Sequence, residues 1–77
     1  MFAKGDLLTI AYEKVIGTLN SKEPVAVVQP GDVCLVLGGL NVRGFVFHRL
    51  YVVSVDGRAF VGVITSWDGW RRHHSSG

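Results

Sequence analysis

The sequence has little charge for its size. Aspartate, glutamate, lysine and arginine make up 18% of its 77 residues, against roughly 25% in ordinary soluble domains. The net charge of +2 is too small to indicate a nucleic-acid partner by itself. Because so few charges are available to cover a small body, we expect apolar surface to stay exposed or to be buried by a partner.

Cysteine is almost absent as well. Cys34 is the single cysteine, so the chain can form neither an internal disulfide nor a cysteine-based zinc site. Its apolar neighbours Val33 and Leu35 favour a buried, unreactive thiol over a nucleophile. The lack of disulfides is typical of a reducing, cytoplasmic location.

The sequence also lacks the signatures of membrane targeting and of catalysis. Its first residues have no signal-peptide core, and no apolar run approaches the ~20 residues of a membrane span, so no membrane partner is expected. The nucleophile elbow, the P-loop and the HExxH motif are missing. His48 is interpreted as an ordinary wall histidine, and the adjacent His73 and His74 would point to opposite sides of a strand. We therefore expect no enzyme, cofactor or metal site, with an active site formed between copies of an oligomer as an alternative.

The residues that are abundant indicate an all-β domain. Ten glycines mark turns between runs of valine, isoleucine, leucine and aromatic residues, which is the pattern of short strands in a barrel or sandwich. We predict one domain over residues 1–72 with a polar tail at 73–77. Four strands are predicted at residues 6–12, 32–38, 45–55 and 59–65, and a turn at 66–69 leads to a final short strand or a tail. A long connection at 13–31 holds a short extended piece at residues 25–28.

The strongest local pattern is a hairpin at Asp56-Gly57. This pair stands between two β-rich runs and favours a primed two-residue turn, which requires positive φ. Alternation then places two apolar sets on opposite faces: Val53, Val55, Val61 and Val63 on one, and Leu50, Val52, Phe60 and Ile64 on the other. Which set forms the core stays open, and burial of both would favour a partner or an oligomer.

The order of these segments resembles that of SH3-like barrels. The resemblance lies in the Lys-Gly-Asp-Leu-Leu opening, the Pro-Gly-Asp strand start, the Asp-Gly hairpin and the closing Thr-Ser-Trp-Asp-Gly-Trp segment. It is closest to the very small barrels common among bacteriophage proteins of unknown role. It implies an all-β, SH3-like barrel of about five strands, with a long first loop and a single helical turn before the last strand. A phage protein of this kind would work in the host cytoplasm.

The chain departs from the peptide-binding SH3 domains. Tyr12, within Ile-Ala-Tyr-Glu, matches only part of their aromatic-rich opening stretch. Phe45, Val46 and Phe47 stand where those domains carry the groove tryptophan, and the proline of their helical turn is missing. We therefore do not expect binding of proline-rich peptides.

Candidate binding residues gather near the end of the chain. Trp67 and Trp70 flank Asp68-Gly69, and one tryptophan is expected to close the barrel while the other offers a surface. The first loop is a second candidate surface. The sequence predicts a non-enzymatic protein-binding or assembly module whose partner is another protein or a second copy. A nucleic-acid-binding barrel using Trp70 and the arginines, Arg43 and Arg49 included, is the alternative. The candidate binding residues are Tyr12, Trp67, Trp70, Arg71 and Arg72.

Overall fold

The fold is a single antiparallel β-sheet, seen in a computed structural model that describes residues 2–73. No helix occurs within those residues, and so none is long and apolar enough to cross a membrane. The seven strands are β1 (Leu7–Ile10), β2 (Lys14–Thr18), β3 (Val25–Val28), β4 (Val33–Val42), β5 (Phe45–Val53), β6 (Ala59–Ile64) and β7 (Trp70–Arg72).

The sheet curls into a half-barrel around one core. Its strand order is β3-β2-β6-β5-β4-β1-β7, so β3 and β7 form the two edges. Val28 of β3 and Trp70 of β7 nevertheless belong to the same buried cluster. A flat sheet would keep its edge strands far apart, since neighbouring strands lie about 4.8 Å apart. The expectation of an all-β fold is confirmed.

The predicted number of about five strands was wrong. The structure has seven, because the long first connection contains a hairpin. β2 and β3 pair with each other, and β2 also joins β6 through the pairs Gly17↔Val63 and Thr18↔Gly62. The extended piece predicted at Val25–Val28 is β3. β2 escaped prediction because Gly17 interrupts its run of β-branched residues, yet burial of Ile16 in the core fixes it as a strand.

The β4–β5 hairpin is longer than its sequence suggested. Gly38 and Gly39 do not form a turn: the register shifts between Val36 and Gly38, which marks a β-bulge, and Gly38 has φ of 128°. The chain turns at Arg43 and Gly44, with φ of 52° and 85°. Two successive positive φ values are the mark of a primed hairpin turn.

The hairpin predicted at Asp56-Gly57 is confirmed, but its turn type is not. The Gly57 amide donates to Ser54 O at 3.0 Å, the Ser54 amide donates to Arg58 O at 2.8 Å, and Gly57 alone of these residues has positive φ. This is a three-residue loop, a type I turn followed by a left-handed glycine. Leu50, Val52 and Ile64 are buried and Phe60 packs against them, while Val53 and Val55 are exposed. The question of which face forms the core is thereby answered.

The segment before the last strand is a turn and not the predicted helical one. The Trp70 amide donates to Trp67 O at 3.0 Å, and Gly69 takes φ of 82°. β7 then pairs with β1, and the His73 amide continues the ladder by donating to Leu7 O at 2.8 Å. The rest of the predicted polar tail, residues 74–77, lies outside the described residues.

Candidate functional site

An apolar cleft opens between the β2–β3 hairpin and the far end of the β4–β5 hairpin. It has a volume of about 630 Å³. Gly17 and Val63 lie opposite each other in the β2–β6 ladder and alternate with the core residues Ile16 and Ile64, so they face away from the core. The apolar residues that line the cleft are Val15, Ile16, Gly17, Leu19, Leu40, Val42, Phe47, Val63 and Ile64.

Three of the four polar residues at the cleft have hydrogen-bond partners within the chain. Lys14 Nζ donates to Asp68 O at 3.2 Å, and Ser66 Oγ accepts from the Asp68 amide at 3.1 Å. Thr18 Oγ1 donates to Glu23 O and accepts from the Asn20 amide. Because these three are hydrogen-bonded internally and only Thr65 of the polar lining is not, the cleft offers a ligand mainly apolar surface.

The tip of the β4–β5 hairpin continues this apolar surface. Phe45 is 69% exposed, the largest exposed fraction among the big apolar side chains of residues 2–73, and it shares a face of β5 with the cleft residue Phe47. Exposed apolar residues that adjoin a cleft are typical of interaction sites, whereas scattered ones need no explanation.

Tyr12 is held against the β6–β7 turn. Its hydroxyl donates to Asp68 Oδ2 at 2.9 Å. This hydrogen bond, with smaller effects of desolvation and of the Asp68 charge, raises the pKa of Tyr12 above its ordinary value. Its ring fills the space where Gly69 lacks a side chain. Tyr12 is half exposed, but its polar end is occupied.

The two tryptophans have different environments. Trp70 is 6% exposed and belongs to the core, so it cannot serve as the surface platform of the nucleic-acid alternative. Trp67 is half-buried against the core. His48 stacks on it with ring centroids 4.3 Å apart, and Phe2 meets it edge-on at 5.1 Å. Little of either ring is left for a base to stack on.

Arg71 and Arg72 do not lie beside an exposed aromatic ring on which a nucleic-acid base could stack. Arg72 Nη2 lies 3.2 Å from Asp6 Oδ2, and its guanidinium stands over Phe2 at 5.3 Å. A hydrogen bond from the Ala3 amide, helped by Arg72, lowers the pKa of Asp6. Arg71 is exposed on β7, but with Trp70 buried the nucleic-acid alternative loses its stacking platform.

The interior of the sheet offers no reactive group. Cys34 is fully buried, as its sequence context predicted, and burial together with the nearby Asp32 charge raises its thiol pKa to about 12. Within residues 2–73, no three His, Cys, Asp or Glu residues lie close enough to hold a metal ion.

The sequence predicted only parts of the surface that lines the cleft. The first loop was a candidate surface, and its strand β2 is indeed one wall. Phe47 was noted only as a departure from the SH3 groove. The cleft as a whole escaped because it joins three segments far apart in the chain, residues 14–19, 40–47 and 63–66.

Comparison of the chain with protein-family models, with curated proteins and with solved structures finds no match. The site must therefore be interpreted from its own geometry.

Proposed function

We propose that the chain is a non-enzymatic protein-binding module, built as an SH3-like barrel, that holds an apolar segment of a partner protein in the cleft. The strand order supports the barrel assignment. β4, β5 and β6 form a meander, β1 and β7 flank it on one side, and a hairpin from the first loop flanks it on the other.

The cleft is the observation that carries the proposal. Its volume of about 630 Å³ lies within the ~300–1,000 Å³ range of small binding sites. It lies open between two hairpins, so an extended chain can enter and insert two or three apolar side chains. Burial of such side chains contributes about 25 cal/mol per Å², from which the entropic cost of association is subtracted. With three of its four polar lining residues hydrogen-bonded within the chain, the cleft favours an apolar segment over a charged one.

The same proposal includes a setting in the cell. By the resemblance to small phage barrels, we propose a phage-encoded protein that works in the cytoplasm of its host. The absence of a cysteine pair is in keeping with a reducing compartment.

Filling the cleft tests the proposal directly. Gly17 has no positive φ, and a Cβ built on it would meet only Val63 O, at an ordinary 3.7 Å. Gly17→Val therefore fits the strand while its methyl groups enter the cleft. Peptides of about 12 residues, extended enough to follow a groove, are selected from a random library on the wild-type protein, and calorimetry measures their affinity. We expect Gly17→Val to weaken their binding at least tenfold.

Gly39→Val is the matched control. Gly39 is also a strand glycine without positive φ, and its Cβ would meet one carbonyl, Phe47 O, at 3.7 Å. It pairs with His48 and faces away from the side on which Leu40 lines the cleft. The proposal fails if no peptide is enriched, or if enriched peptides bind Gly17→Val and wild type equally well.

A further inference from the structure

The two edge strands of the sheet differ in how well they are protected against pairing with another chain. The β7 edge carries Arg71 and Arg72, and charged side chains at an edge hinder pairing with another chain. The β3 edge reads Val-Ala-Val-Val, and residues 24–31 contain no charged residue. β3 is thus the edge open to a further strand.

The hydrogen-bond pattern identifies which groups of β3 are free. The Thr18 amide donates to Pro24 O at 2.9 Å, so these two residues form a hydrogen-bonded pair of the β2–β3 ladder. Such pairs alternate in an antiparallel ladder, and the next ones are Ile16↔Ala26 and Lys14↔Val28. The N–H and C=O groups of Val25 and Val27 therefore point away from β2, toward the open edge.

The side chains of the same two residues are also accessible. Val25 is 60% exposed and Val27 is 36% exposed. Val27 lies opposite Val15, which is exposed as well, so an apolar strip runs beside the edge. Backbone and side chains together offer a short apolar strand for pairing.

We propose that β3 pairs antiparallel with β3 of a second copy, around a two-fold axis at Ala26. In this register Val25 of each copy lies opposite Val27 of the other, and the free groups make four hydrogen bonds. Valine side chains then face each other across the junction, as β-branched pairs in sheets commonly do. Pro24 costs nothing here, since its nitrogen points toward β2.

A second copy fits this edge because the edge is complementary to itself. The two residues with free backbone groups are two positions apart, so a two-fold axis between them satisfies every group. Since residues 24–31 are neutral, equal charges do not meet at the junction. The contact is smaller than the ~800 Å² per partner of a stable complex, so the dimer should dissociate on dilution.

This dimer goes beyond the proposed cleft function and does not depend on it. β2 of the same hairpin lines the cleft, whereas Val25 and Val27 do not. The dimer therefore carries two clefts with fixed spacing, and a partner with two apolar segments would bind it with increased avidity.

Sedimentation measured from about 10 μM to about 1 mM tests the dimer, because association depends on protomer concentration. We expect wild type to shift with concentration from the 8.4 kDa monomer toward twice that mass. The double variant Val25→Lys/Val27→Lys places like charges opposite each other and should stay monomeric. Val55→Lys is the matched control: Val55 is exposed in the β5–β6 loop, and this variant should dimerise like wild type.

Amide hydrogen exchange on wild type gives a second reading that needs no variant. The Val25 and Val27 amides should gain protection at the higher concentration, since only a second copy can accept their hydrogen bonds. A monomer at every concentration overturns the proposal, and so does a dimer unaffected by the lysines, which would mean that the copies meet elsewhere. Cleft peptides should still bind the lysine variant, so failure of either proposal leaves the other standing.

Discussion

At the scale of single residues, Asp32 joins two turns of the fold. Its side chain is fully buried. Oδ2 accepts the Gln29 amide at 3.0 Å, and Oδ1 accepts the Val55 amide at 3.0 Å and Ser54 Oγ at 3.4 Å. The carboxylate thus ties the turn before β4 to the loop between β5 and β6.

Asp32→Ala should lower the free energy of unfolding by about 3 kcal/mol, because it leaves buried donors without an acceptor. Asp32→Asn should cost about half of that, since one oxygen remains to accept. Urea denaturation followed by tryptophan fluorescence measures both. Glu13→Ala, which removes an exposed carboxylate, serves as the control and should change little. An Asp32→Ala variant as stable as this control would contradict the role given to Asp32.

The sequence identified Asp32 only as the residue that opens a predicted strand. Its donors Ser54 and Val55 stand 22 and 23 positions further along the chain. Local patterns carry turn chemistry but not partners at such distances, so this bond could not be predicted.

At the scale of elements, sequence patterns predicted where the chain reverses better than how it does so. Asp56-Gly57 is the preferred pair for a primed turn, yet the primed turn is at Arg43-Gly44, where arginine takes φ of 52°. Asn41 supports that turn, because its Oδ1 accepts the Gly44 amide at 3.2 Å. At Asp56 the carboxylate instead accepts from Arg58 N and Nε. Side-chain hydrogen bonds of this kind shift the choice between turn types away from simple propensity.

The turn before β7 yields a prediction for Gly69. A Cβ on this residue would lie 2.7 Å from Tyr12 Cζ, and φ of 82° already disfavours any side chain. Gly69→Ala should displace the Tyr12 ring and lower the free energy of unfolding by about 2–3 kcal/mol, combining backbone strain with overpacking.

Gly44→Ala is the control for Gly69→Ala. Its φ of 85° is nearly the same, but nothing lies within 4 Å of its Cβ, so it should cost only the backbone strain of about 1 kcal/mol. Equal losses in the two variants would argue against the Tyr12 contact.

The ionisation of Tyr12 gives a second measurement on Gly69→Ala. The hydrogen bond to Asp68 raises the pKa of Tyr12 in the folded protein above its ordinary value of 10.0. This hydrogen bond therefore stabilises the fold fully below pH 10.0, and its contribution is lost as the pH rises through the folded-state pKa of Tyr12. Displacement of the ring should bring that pKa back toward 10.0. Ultraviolet titration in a Tyr51→Phe background follows it, because Tyr12 is then the only tyrosine.

At the scale of the whole molecule, the low charge predicted the exposed apolar surface that the fold displays. Thirteen large apolar side chains are exposed among residues 2–73. The fold class and the hairpin at Asp56-Gly57 could be predicted because they depend on local patterns. The β2–β3 hairpin and the cleft could not, because Ile16, Phe47 and Val63 acquire their roles only through pairing of distant segments.

The single thiol reports on the unfolding of the entire molecule. Cys34 is fully buried in the core and its pKa is raised to about 12, so a thiol reagent at pH 8 should react only when the sheet opens. Labelling with a disulfide reagent should then give the same free energy of opening as urea denaturation. Val55→Cys in a Cys34→Val background provides an exposed thiol as control and should react at once. Labelling of Cys34 at the speed of that control would show that the core opens locally.

The pairing of β1 with β7 also determines how the domain responds to force. Leu8 lies opposite Arg72 and Ile10 lies opposite Trp70, so the first residues of β1 and the last residues of β7 lie side by side at one end of the two strands. A pull applied at residues 8 and 72 would load the hydrogen bonds one after another and would not shear them all together. The sheet would therefore peel open under low tension, beginning at Arg72 and reaching the core when Trp70 is withdrawn.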